Sequence, residues 1–427
     1  MRTISVLLFL LPGCLLQGCN DEGAADDPSG GAALDPTYTW YGDVGPIVQA
    51  RCVTCHQPGG IAPFSLVTYE DAYDAHLLMG PAVEDEYMPP LPANQDGCRP
   101  IDDFREMPDE EREVIATWTE EGAPEGDPAD AGDGPEAPDP LLGDPTHVFD
   151  SGLDYLSDYA EVDDYRCFVV DPELAALTQA IAFWVESTNP AIVHHAIVYA
   201  AIPATADEVD ALEAEDEAPG YQCFGGPGFD RAVPLAGYVP GSSPMPYPDD
   251  TGVYLPAATR FVVQMHYNFE NGRESNRMSV AMWEPEGNIR GFPHGAVMGT
   301  ADFYIPAGAA DTEAVSETRI VSADDVPGFD EANEGRAWTV QGHMHQLGSS
   351  LRVDLQRADG SSECMLDIPT WNFHWQGSYR FEDPVDLRAG DRLRITCHWD
   401  NSDGKHAVTW GEGTSDEMCL ANMLMTD

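Results

Sequence analysis

The stretch Arg260-Phe-Val-Val-Gln-Met265 consists mostly of residues that favour β-strands, and it represents the pattern of most of the chain. Comparable runs are Ala180-Ile-Ala-Phe-Trp-Val185 and Leu393-Arg-Ile-Thr396. Gly, Pro and Asn separate such runs at intervals of about ten residues, which is typical of antiparallel β-sandwiches. We therefore predict a mainly β chain with two antiparallel, jelly-roll-like β-sandwich domains, at residues 146–288 and 289–427.

A different pattern precedes the predicted sandwiches. Residues 37–122 end in a helical pattern, in which Pro108 stands near the helix start and Trp118 belongs to an apolar stripe. We predict a small all-α domain in this segment. Residues 20–36 and 123–145 are rich in Gly, Pro and acidic residues, and we predict a flexible tether and a linker there.

Residues 1–19 are typical of an export signal. Arg2 supplies the positive start, residues 4–16 are apolar, and the segment ends in Leu16-Gln17-Gly18-Cys19. That ending resembles a bacterial lipobox, which implies lipidation of Cys19, and an ordinary secretory signal is the alternative. Asn20 follows the cysteine, and by resemblance to Gram-negative lipoproteins this favours the outer membrane. We predict an exported lipoprotein that faces the periplasm or the cell surface.

The composition restricts the partners. The chain has 75 acidic and 20 basic residues, and its formal net charge is −55. So large a negative charge disfavours binding to nucleic acid and to anionic membrane surfaces. After the signal, no stretch reaches the roughly 20 apolar residues that span a bilayer. We expect contact with a membrane through the lipid anchor alone.

The motif Cys52-Val53-Thr54-Cys55-His56 is typical of a covalent c-type haem site. The two thiols would bind the haem and His56 would be the proximal iron ligand. A redox-active or zinc-binding cysteine pair is the alternative, but the chain lacks a second Cys-x-x-Cys that would complete a four-cysteine zinc site.

The sixth iron ligand is less sharply defined by the sequence. Met88 stands before Pro89-Pro90, and this Met-Pro-Pro segment resembles the one that supplies the distal ligand in many small cytochromes c. Residues 37–122 as a whole resemble a class I cytochrome c domain. Met88 is our prediction, with the competitors Met79, Met107 and His76.

Five histidines and one methionine in the last part of the chain have the chemistry of copper ligands, because imidazole suits both copper states and a thioether favours Cu(I). They are His194, His195, His266, His343, His345 and Met418. On a strand, His343 and His345 would point to the same face. His194 and His195 are neighbours, so they can bind one ion only at a bulge or a strand end.

The motifs around these residues resemble those of the copper type II, ascorbate-dependent monooxygenases, which include peptidylglycine α-hydroxylating monooxygenase and dopamine β-monooxygenase. The resemblance covers residues from about 150 to 427. The motifs are Val193-His194-His195-Ala196, Gln264-Met265-His266-Tyr267, Gly342-His343-Met344-His345-Gln346-Leu347-Gly348 and Thr414-Ser415-Asp416-Glu417-Met418-Cys419.

The resemblance implies two copper ions with different roles. One would lie on His194, His195 and His266 of the first sandwich and transfer electrons. The other would lie on His343, His345 and Met418 of the second sandwich and activate O₂, across a solvent-filled cleft. The family reaction hydroxylates an aliphatic C–H bond and consumes two electrons. The resemblance also implies the disulfides Cys167–Cys223 and Cys397–Cys419. Cys98 and Cys364 remain, and we hypothesise that they bridge the haem segment to the second sandwich.

The substrate is not identified by the sequence. Gln341 stands where peptidylglycine enzymes have their carboxylate-binding arginine, and Asn422 replaces their substrate-contacting tyrosine, so peptide amidation is disfavoured. We predict a monooxygenase of a small substrate, and we expect the fused haem to pass it electrons from an ascorbate-like reductant or a redox protein. A non-catalytic electron-transfer or copper-binding lipoprotein is the alternative, and a zinc hydrolase ranks third.

Overall fold

The computed structural model describes residues 36–426, apart from 59, 95, 104, 132–141, 240–241, 249, 270–271, 320–334, 374 and 412. The predicted signal and Cys19 lie outside the described residues. Thr37–Asp427 form one compact unit. Of the helices in the described residues, none is long and apolar enough to cross a membrane.

The helices lie mostly near the N-terminal end of this unit. Thr68 and Asp71 form a capping box at the start of the second helix, and Pro108 with three acidic residues begins the third. Over the described ranges, the α-helices are α1 (Gly45–Arg51), α2 (Tyr69–Glu84), α3 (Asp109–Glu120) and α4 (Ala206–Glu215), with shorter turns at Trp40–Val44, Pro128–Asp130 and Pro190–Ile192.

Strands make up most of the rest, so the fold is mainly β, as predicted. They are β1 (Ile101–Asp102), β2 (His147–Asp150), β3 (Asp163–Val170), β4 (Thr178–Ala180), β5 (Ala182–Ser187), β6 (Val193–Ala201), β7 (Tyr221–Gln222), β8 (Val233–Tyr238), β9 (Val253–Leu255), β10 (Arg260–Asn268), β11 (Met278–Trp283), β12 (His294–Gly299), β13 (Tyr304–Ile305), β14 (Thr312–Arg319), β15 (Gly335–His343), β16 (Gly348–Gln356), β17 (Ser362–Ile368), β18 (Ser378–Leu387), β19 (Arg392–Trp399), β20 (Val408–Thr409) and β21 (Leu420–Thr426).

The first half of the β region has two main sheets around one core. One sheet has the order β7-β3-β10-β6-β8 and the other β2-β11-β5, and the neighbouring strands are antiparallel. Strand β10, which contains Arg260-Phe-Val-Val-Gln-Met265, lies at the centre of the larger sheet. Phe261, Val263 and Met265 on β10 pack in one apolar cluster with Val280 and Met282 on β11. Burial of this cluster holds the two sheets together.

The second half repeats this arrangement with different strands. One sheet has the order β1-β18-β15-β21-β12 and the other β14-β19-β16-β17. Val340 and Phe381 from the first sheet share an apolar cluster with Leu351, Val353 and Ile395 from the second. Two-stranded pairs, β4 with β9 and β13 with β20, complete the sheets of the described residues.

The segment 37–122 differs from the prediction, because an all-α domain is not evident there. Helices α1 to α3 have their own apolar cluster, which includes Trp40, Ile115 and Trp118. The loop between α2 and α3, however, contains β1, whose Ile101 pairs with Phe381 on β18 and is buried in the second β core. The backbone of β1 pairs with strand β18, which lies far along the chain. The segment is therefore partly built into the C-terminal β region.

Candidate metal centres

Two neighbouring strands bring the first three histidines together. His266 on β10 lies directly opposite His195 on β6, but the register shifts at the next position, where Tyr267 pairs with Val193. His194 is therefore the extra residue of a β-bulge. The bulge is the irregularity that two adjacent histidines need if both are to face one ion.

The three imidazoles form a compact group. One nitrogen from each of His194, His195 and His266 lies within 4.8 Å of the others. The Nδ1 atoms of His266 and His195 are 3.4 Å apart. Within the described residues, this is the one set of three His, Cys, Asp or Glu side chains found close enough to hold a metal ion.

Asp163 determines which nitrogen of His266 is available. Its carboxylate is 3.0 Å from Nε2 of His266, and because a carboxylate only accepts, Nε2 carries the proton and Nδ1 keeps its lone pair. Burial would raise the pKa of Asp163, but the hydrogen bond from His266 and the electrostatic attraction of that ring lower it. The ring of Tyr165 stacks on His266 with centroids 4.0 Å apart. The arrangement orients His266 as a ligand through Nδ1.

The second set of histidines lies at the end of β15. The rings of His343 and His345 are 5.2 Å apart and nearly perpendicular. Nδ1–H of His343 donates to Oε1 of Gln376 at 2.5 Å, and Nδ1–H of His345 donates to the Asp416 carbonyl at 3.1 Å. Both histidines therefore keep Nε2 as the free nitrogen, the opposite of His266.

Glu417 ties the segment that carries Met418 to the second set. Its carboxylate is fully buried and accepts the backbone N–H groups of His345 and Leu347 and the indole N–H of Trp399. The backbone N–H of Met418 points to the same carboxylate at 3.3 Å. The neighbouring Cys419 is bonded to Cys397. Met418, which is half-buried, is thus held between two fixed residues, and one of them, Glu417, binds the backbone of His345.

One aromatic ring touches both sets. Phe373 stacks on His194 with centroids 4.5 Å apart, and its ring is 6.2 Å from that of His345. The resemblance implied a solvent-filled cleft between the two sets, whereas in this structure a side chain that is 8% exposed lies between His194 and His345.

Burial keeps the imidazoles in the form that binds metal. Burial, and then the neighbouring His266, lower the pKa of His195 well below its ordinary value. Burial, and then His345, lower the pKa of His343 to about 4, and burial also lowers the pKa of His345. Neutral imidazole is the ligating form. The chemistry of this donor set, five imidazoles and a thioether, fits copper.

The haem motif follows helix α1. Backbone N–H of His56 donates to the Cys52 carbonyl, which closes the turn between them. Nδ1–H of His56 donates to the Phe64 carbonyl at 3.1 Å and leaves Nε2 free. The thiols of Cys52 and Cys55 are not in disulfides, and burial raises the pKa of each, for Cys52 to about 12.

The candidates for the sixth iron ligand lie in different surroundings. Met79 and Met107 are buried in the apolar cluster of helices α1 to α3. His76 is half-buried, and its ring stacks on Tyr73. Met88 is half-buried just after α2, and its N–H donates to the Ala82 carbonyl at 2.9 Å. Met88 is thus outside the core.

The residues around the motif also suit a large apolar group. Several large apolar side chains between residues 64 and 87 are exposed, namely Phe64, Val67, Tyr73, Leu77, Leu78 and Tyr87. Phe64 packs against His56 with ring centroids 4.7 Å apart. Exposed apolar side chains of this kind are available for contact with a bound apolar group.

Three disulfides are found in the described part of the chain. Two are the pairs that the resemblance implied, Cys167–Cys223 and Cys397–Cys419. The third, Cys98–Cys364, joins the segment 37–122 to strand β17.

Sequence reasoning missed the residues that orient the histidines. Asp163, Phe373, Gln376 and Glu417 carried no recognisable signal, because acidic, amide and aromatic residues occur throughout the chain. The histidines to which no role was assigned include His147 and His398, which pair with surface carboxylates of Glu284 and Asp311. His374 lies outside the described residues.

One family model matches the part of the chain that carries the second set of histidines. Residues 331–425 match the family model described as copper type II ascorbate-dependent monooxygenase, C-terminal domain. This match includes His343, His345 and Met418, and it supports that family, which implies copper, O₂ and an ascorbate-like reductant.

Two curated relatives carry the same name. "DBH-like monooxygenase protein 2" of Mus musculus is 26% identical over 245 residues, which are 54% of this chain and 38% of that protein. "Putative DBH-like monooxygenase protein 2" of Homo sapiens is 22% identical over 249 residues, 54% of this chain and 46% of that protein. The chain thus spans less than half the length of each. A cryo-EM structure of the Sputnik virophage aligns over 66% of this chain and 86% of its own, with 8% identity and a TM-score of only 0.19.

Proposed function

We propose that this protein is a copper-dependent monooxygenase that hydroxylates an aliphatic C–H bond of a small substrate with O₂. The observation that carries the proposal is the convergence of His194, His195 and His266 on one point. It is supported by the family match around the second set of ligands. Residues 146–288 and 289–427 would be the two copper-binding sandwich domains.

The protein's own residues would hold and orient the two metals. His194, His195 and His266 would bind the first copper, with Asp163 fixing His266. His343, His345 and Met418 would bind the second, with Gln376 and the Asp416 carbonyl fixing the histidines. Such outer partners set the orientation and basicity of ligating imidazoles. Copper would supply one-electron redox chemistry and activation of O₂.

The substrate would be uncharged near the second site. Gln341 lies two positions before His343 on β15, and it pairs directly with Asn422 on β21. Both side chains are half-buried, and both are amides. Amides hydrogen-bond to neutral polar groups but give a carboxylate no bidentate charged partner. This favours a neutral substrate over a C-terminal peptide carboxylate.

We also propose one covalent haem c in residues 37–122, bound by Cys52 and Cys55, with His56 and Met88 as the axial ligands. The haem would supply electrons one at a time. The protonated Nδ1 of His56 supports ligation through Nε2. The exposed apolar side chains between residues 64 and 87 support a large apolar group.

A buried hydroxyl outside residues 37–122 also supports the proposal of a haem. The hydroxyl of Tyr379 on β18 is buried and has no hydrogen-bond partner in the described residues. The guanidinium of Arg105 lies 5.8 Å from the centre of the Tyr379 ring, and its charge also opposes the burial that raises the pKa of Cys55. A haem carboxylate would accept the hydrogen bond that the Tyr379 hydroxyl can donate. Tyr379→Phe is expected to shift the haem reduction potential.

The haem would feed the copper sites. The haem segment is bonded to the C-terminal region by Cys98–Cys364 and by the pairing of β1 with β18. A tethered donor has a high effective concentration at its acceptor. The first electron donor would be an ascorbate-like reductant or a redox protein. Residues 1–19 would direct export, and Cys19 would be lipidated and anchor the protein at the outer membrane, facing the periplasm or the cell surface, where its disulfides are stable.

The experiment that tests the copper proposal is metal loading followed by O₂ uptake. Purified protein loaded with Cu(II) and freed of excess metal is expected to retain two copper ions per chain. His343→Ala should retain one and lose ascorbate-driven product formation, whereas His147→Ala, a surface control, should behave as wild type. Retention of only trace copper by the wild type would overturn the proposal.

The alternative function is a non-catalytic electron-transfer or copper-binding lipoprotein. Such a protein would bind copper and haem but would form no hydroxylated product from a panel of neutral substrates under O₂. The haem is measured separately, by the pyridine haemochrome spectrum, with Cys55→Ser as the variant that should lose covalent attachment. Oxidation of the reduced haem that is coupled to product formation would support the enzyme and exclude the carrier.

A further inference from the structure

The loop between β17 and β18 reaches both sets of histidines through one side chain. Phe373 is 8% exposed and stacks on His194 with ring centroids 4.5 Å apart and planes at 25°. On the other side its ring meets His345 at 6.2 Å and 85°, an edge-to-face geometry. Both arrangements are favourable for aromatic rings. The His194 and His345 rings can be no further apart than the sum of these two distances.

The position of Phe373 is fixed by the second set of ligands. The Nε2 amide of Gln376 donates to the Phe373 carbonyl at 2.9 Å, while its Oε1 accepts from His343 at 2.5 Å. In the same loop, the indole of Trp371 donates to the His345 carbonyl at 3.1 Å. The loop is therefore built onto His343 and His345, and it extends Phe373 towards the other domain.

We propose that Phe373 connects the two metal sites and carries electron transfer between them, an inference that rests on the proposed two-copper function. One electron would leave the copper on His194, which goes from Cu(I) to Cu(II), and reach the copper on His345, which goes from Cu(II) to Cu(I). No atom is transferred in this step. The electrons would come from the ascorbate-like reductant or redox protein of the proposed function, through the haem.

The rate of electron transfer depends on the medium between the two sites. Electron tunnelling weakens less steeply through packed atoms than across a water-filled gap. A buried ring in contact with one ligand from each site replaces water by packed carbon atoms, and the stacking also fixes the plane of His194. A residue that only filled space between the domains would have no such effect on transfer, and this difference is what the experiment measures.

The test compares three variants of the copper-loaded full chain. Phe373→Leu removes the ring but keeps an apolar side chain, and Phe373→Tyr keeps the ring. Phe149→Leu is the matched control, because Phe149 also stacks on a histidine, His147, at 5.7 Å and 18°. The readouts are copper per chain and the rate of electron transfer between the sites, followed by rapid-freeze EPR after a one-electron reductant pulse.

We expect all proteins to retain two coppers, with transfer at least several-fold slower in Phe373→Leu and close to the wild-type rate in Phe373→Tyr and Phe149→Leu. An unchanged rate in Phe373→Leu with two coppers bound would overturn the role of Phe373 alone. Loss of copper from the wild type would instead overturn the proposed function.

A second measurement needs no variant. With both sites as Cu(II), the wild-type protein is expected to show a magnetic dipolar interaction between the two ions, because the rings of His194 and His345 lie no further apart than the sum of their distances to Phe373. An EPR spectrum of two isolated Cu(II) ions in protein that holds two coppers would overturn the close approach of the sites on which the role of Phe373 rests, even if Phe373→Leu does not fold.

Discussion

At the scale of single residues, the two sets of imidazoles differ in the nitrogen that is left free. The carboxylate of Asp163 holds the proton of His266 on Nε2, whereas Gln376 and the Asp416 carbonyl hold the protons of His343 and His345 on Nδ1. A ligand that is held in one tautomer loses less freedom when it binds metal. The orienting residues are therefore as informative about function as the histidines.

Removing the acceptor of His266 tests this reading of the first site. In Asp163→Ala, Nε2 of His266 loses its buried partner, so either tautomer becomes available and the ring can turn. We expect the affinity of the first site for Cu(II) to fall about 10- to 100-fold. Competition with a chelator of known affinity measures it.

Asp158→Ala is the matched control, because Asp158 is exposed in the loop that precedes β3. Equal copper affinity in Asp163→Ala and Asp158→Ala would contradict an orienting role for Asp163.

Glu417 offers a test of the second site. In Glu417→Gln, one carboxylate oxygen becomes an amide donor, so at least one of the N–H groups of His345, Leu347 and Trp399 is left facing a donor. An unsatisfied buried group costs about 1–3 kcal/mol, and we expect the free energy of unfolding to fall by that amount. Urea denaturation measures the change.

For Glu317→Gln, at an exposed position on β14 with one surface ion pair, we expect a loss below about 1 kcal/mol. If the two substitutions cost the same, Glu417 does not hold the methionine segment as we describe.

The sequence could indicate the ligands but not what surrounds them. Histidine and methionine are uncommon and their motifs are distinctive, so they stood out. Asp163 is 103 residues from His266, and Gln376 is 33 residues from His343. No local spacing rule relates such pairs, because strand pairing and loop packing bring them together.

At the scale of elements, a bulge and two cross-links position the sites. The sequence indicated that His194 and His195 need a bulge or a strand end to bind one ion. The position of the bulge follows only from the pairing of β6 with β10 in the structure. The strand runs were predictable because β-branched and aromatic residues mark them. Strand β1 was not, because two residues give no periodicity, and its partner β18 lies far along the chain.

The disulfide next to Met418 can be tested against another disulfide. Replacing Cys397 and Cys419 by Ala opens a loop with a sequence separation of 22, and we expect a loss of about 3 kcal/mol of stability and of the second copper. Thermal unfolding and copper per chain measure the two effects.

The pair Cys167 and Cys223, separated by 56 residues, is the control. Its removal is also destabilising but should spare the copper on His343 and His345. If both double variants lose the copper on His343 and His345, the Cys397–Cys419 disulfide has no specific role in positioning Met418.

The junction between the segment 37–122 and β17 should respond to acid. Hydrogen bonds from Arg357 and then Arg99 outweigh partial burial and lower the pKa of Glu363, and Arg99 comes from the segment 37–122. A lowered folded-state pKa means that the stabilisation is full above the unfolded-state pKa of about 4.3 and is lost as the pH falls through the folded-state value.

We therefore expect Glu363→Gln to be less stable than the wild type at pH 7, by less than about 1 kcal/mol, and the difference to disappear on acidification below about pH 4. Urea midpoints at both pH values measure it. A difference that is the same at both would show that the charge of Glu363 does not stabilise the junction.

At the scale of the whole molecule, charge is the dominant feature. A net charge of −55 creates self-repulsion that opposes compaction, and salt reduces the range of this repulsion from roughly 30 Å at 0.01 M to about 8 Å at 0.15 M. We expect the unfolding temperature to rise with sodium chloride over this range. Sucrose at equal osmolality is the control, and an unfolding temperature independent of salt would contradict the expectation.

The bond between Cys98 and Cys364 has a consequence for the integrity of the chain. The two cysteines are separated by 266 residues, so the region between them, including β6 and β10, forms a covalently closed ring. One protease cut anywhere inside that ring leaves the fragments joined, and the nicked molecule should run as a single species on a gel until a thiol reductant releases the pieces.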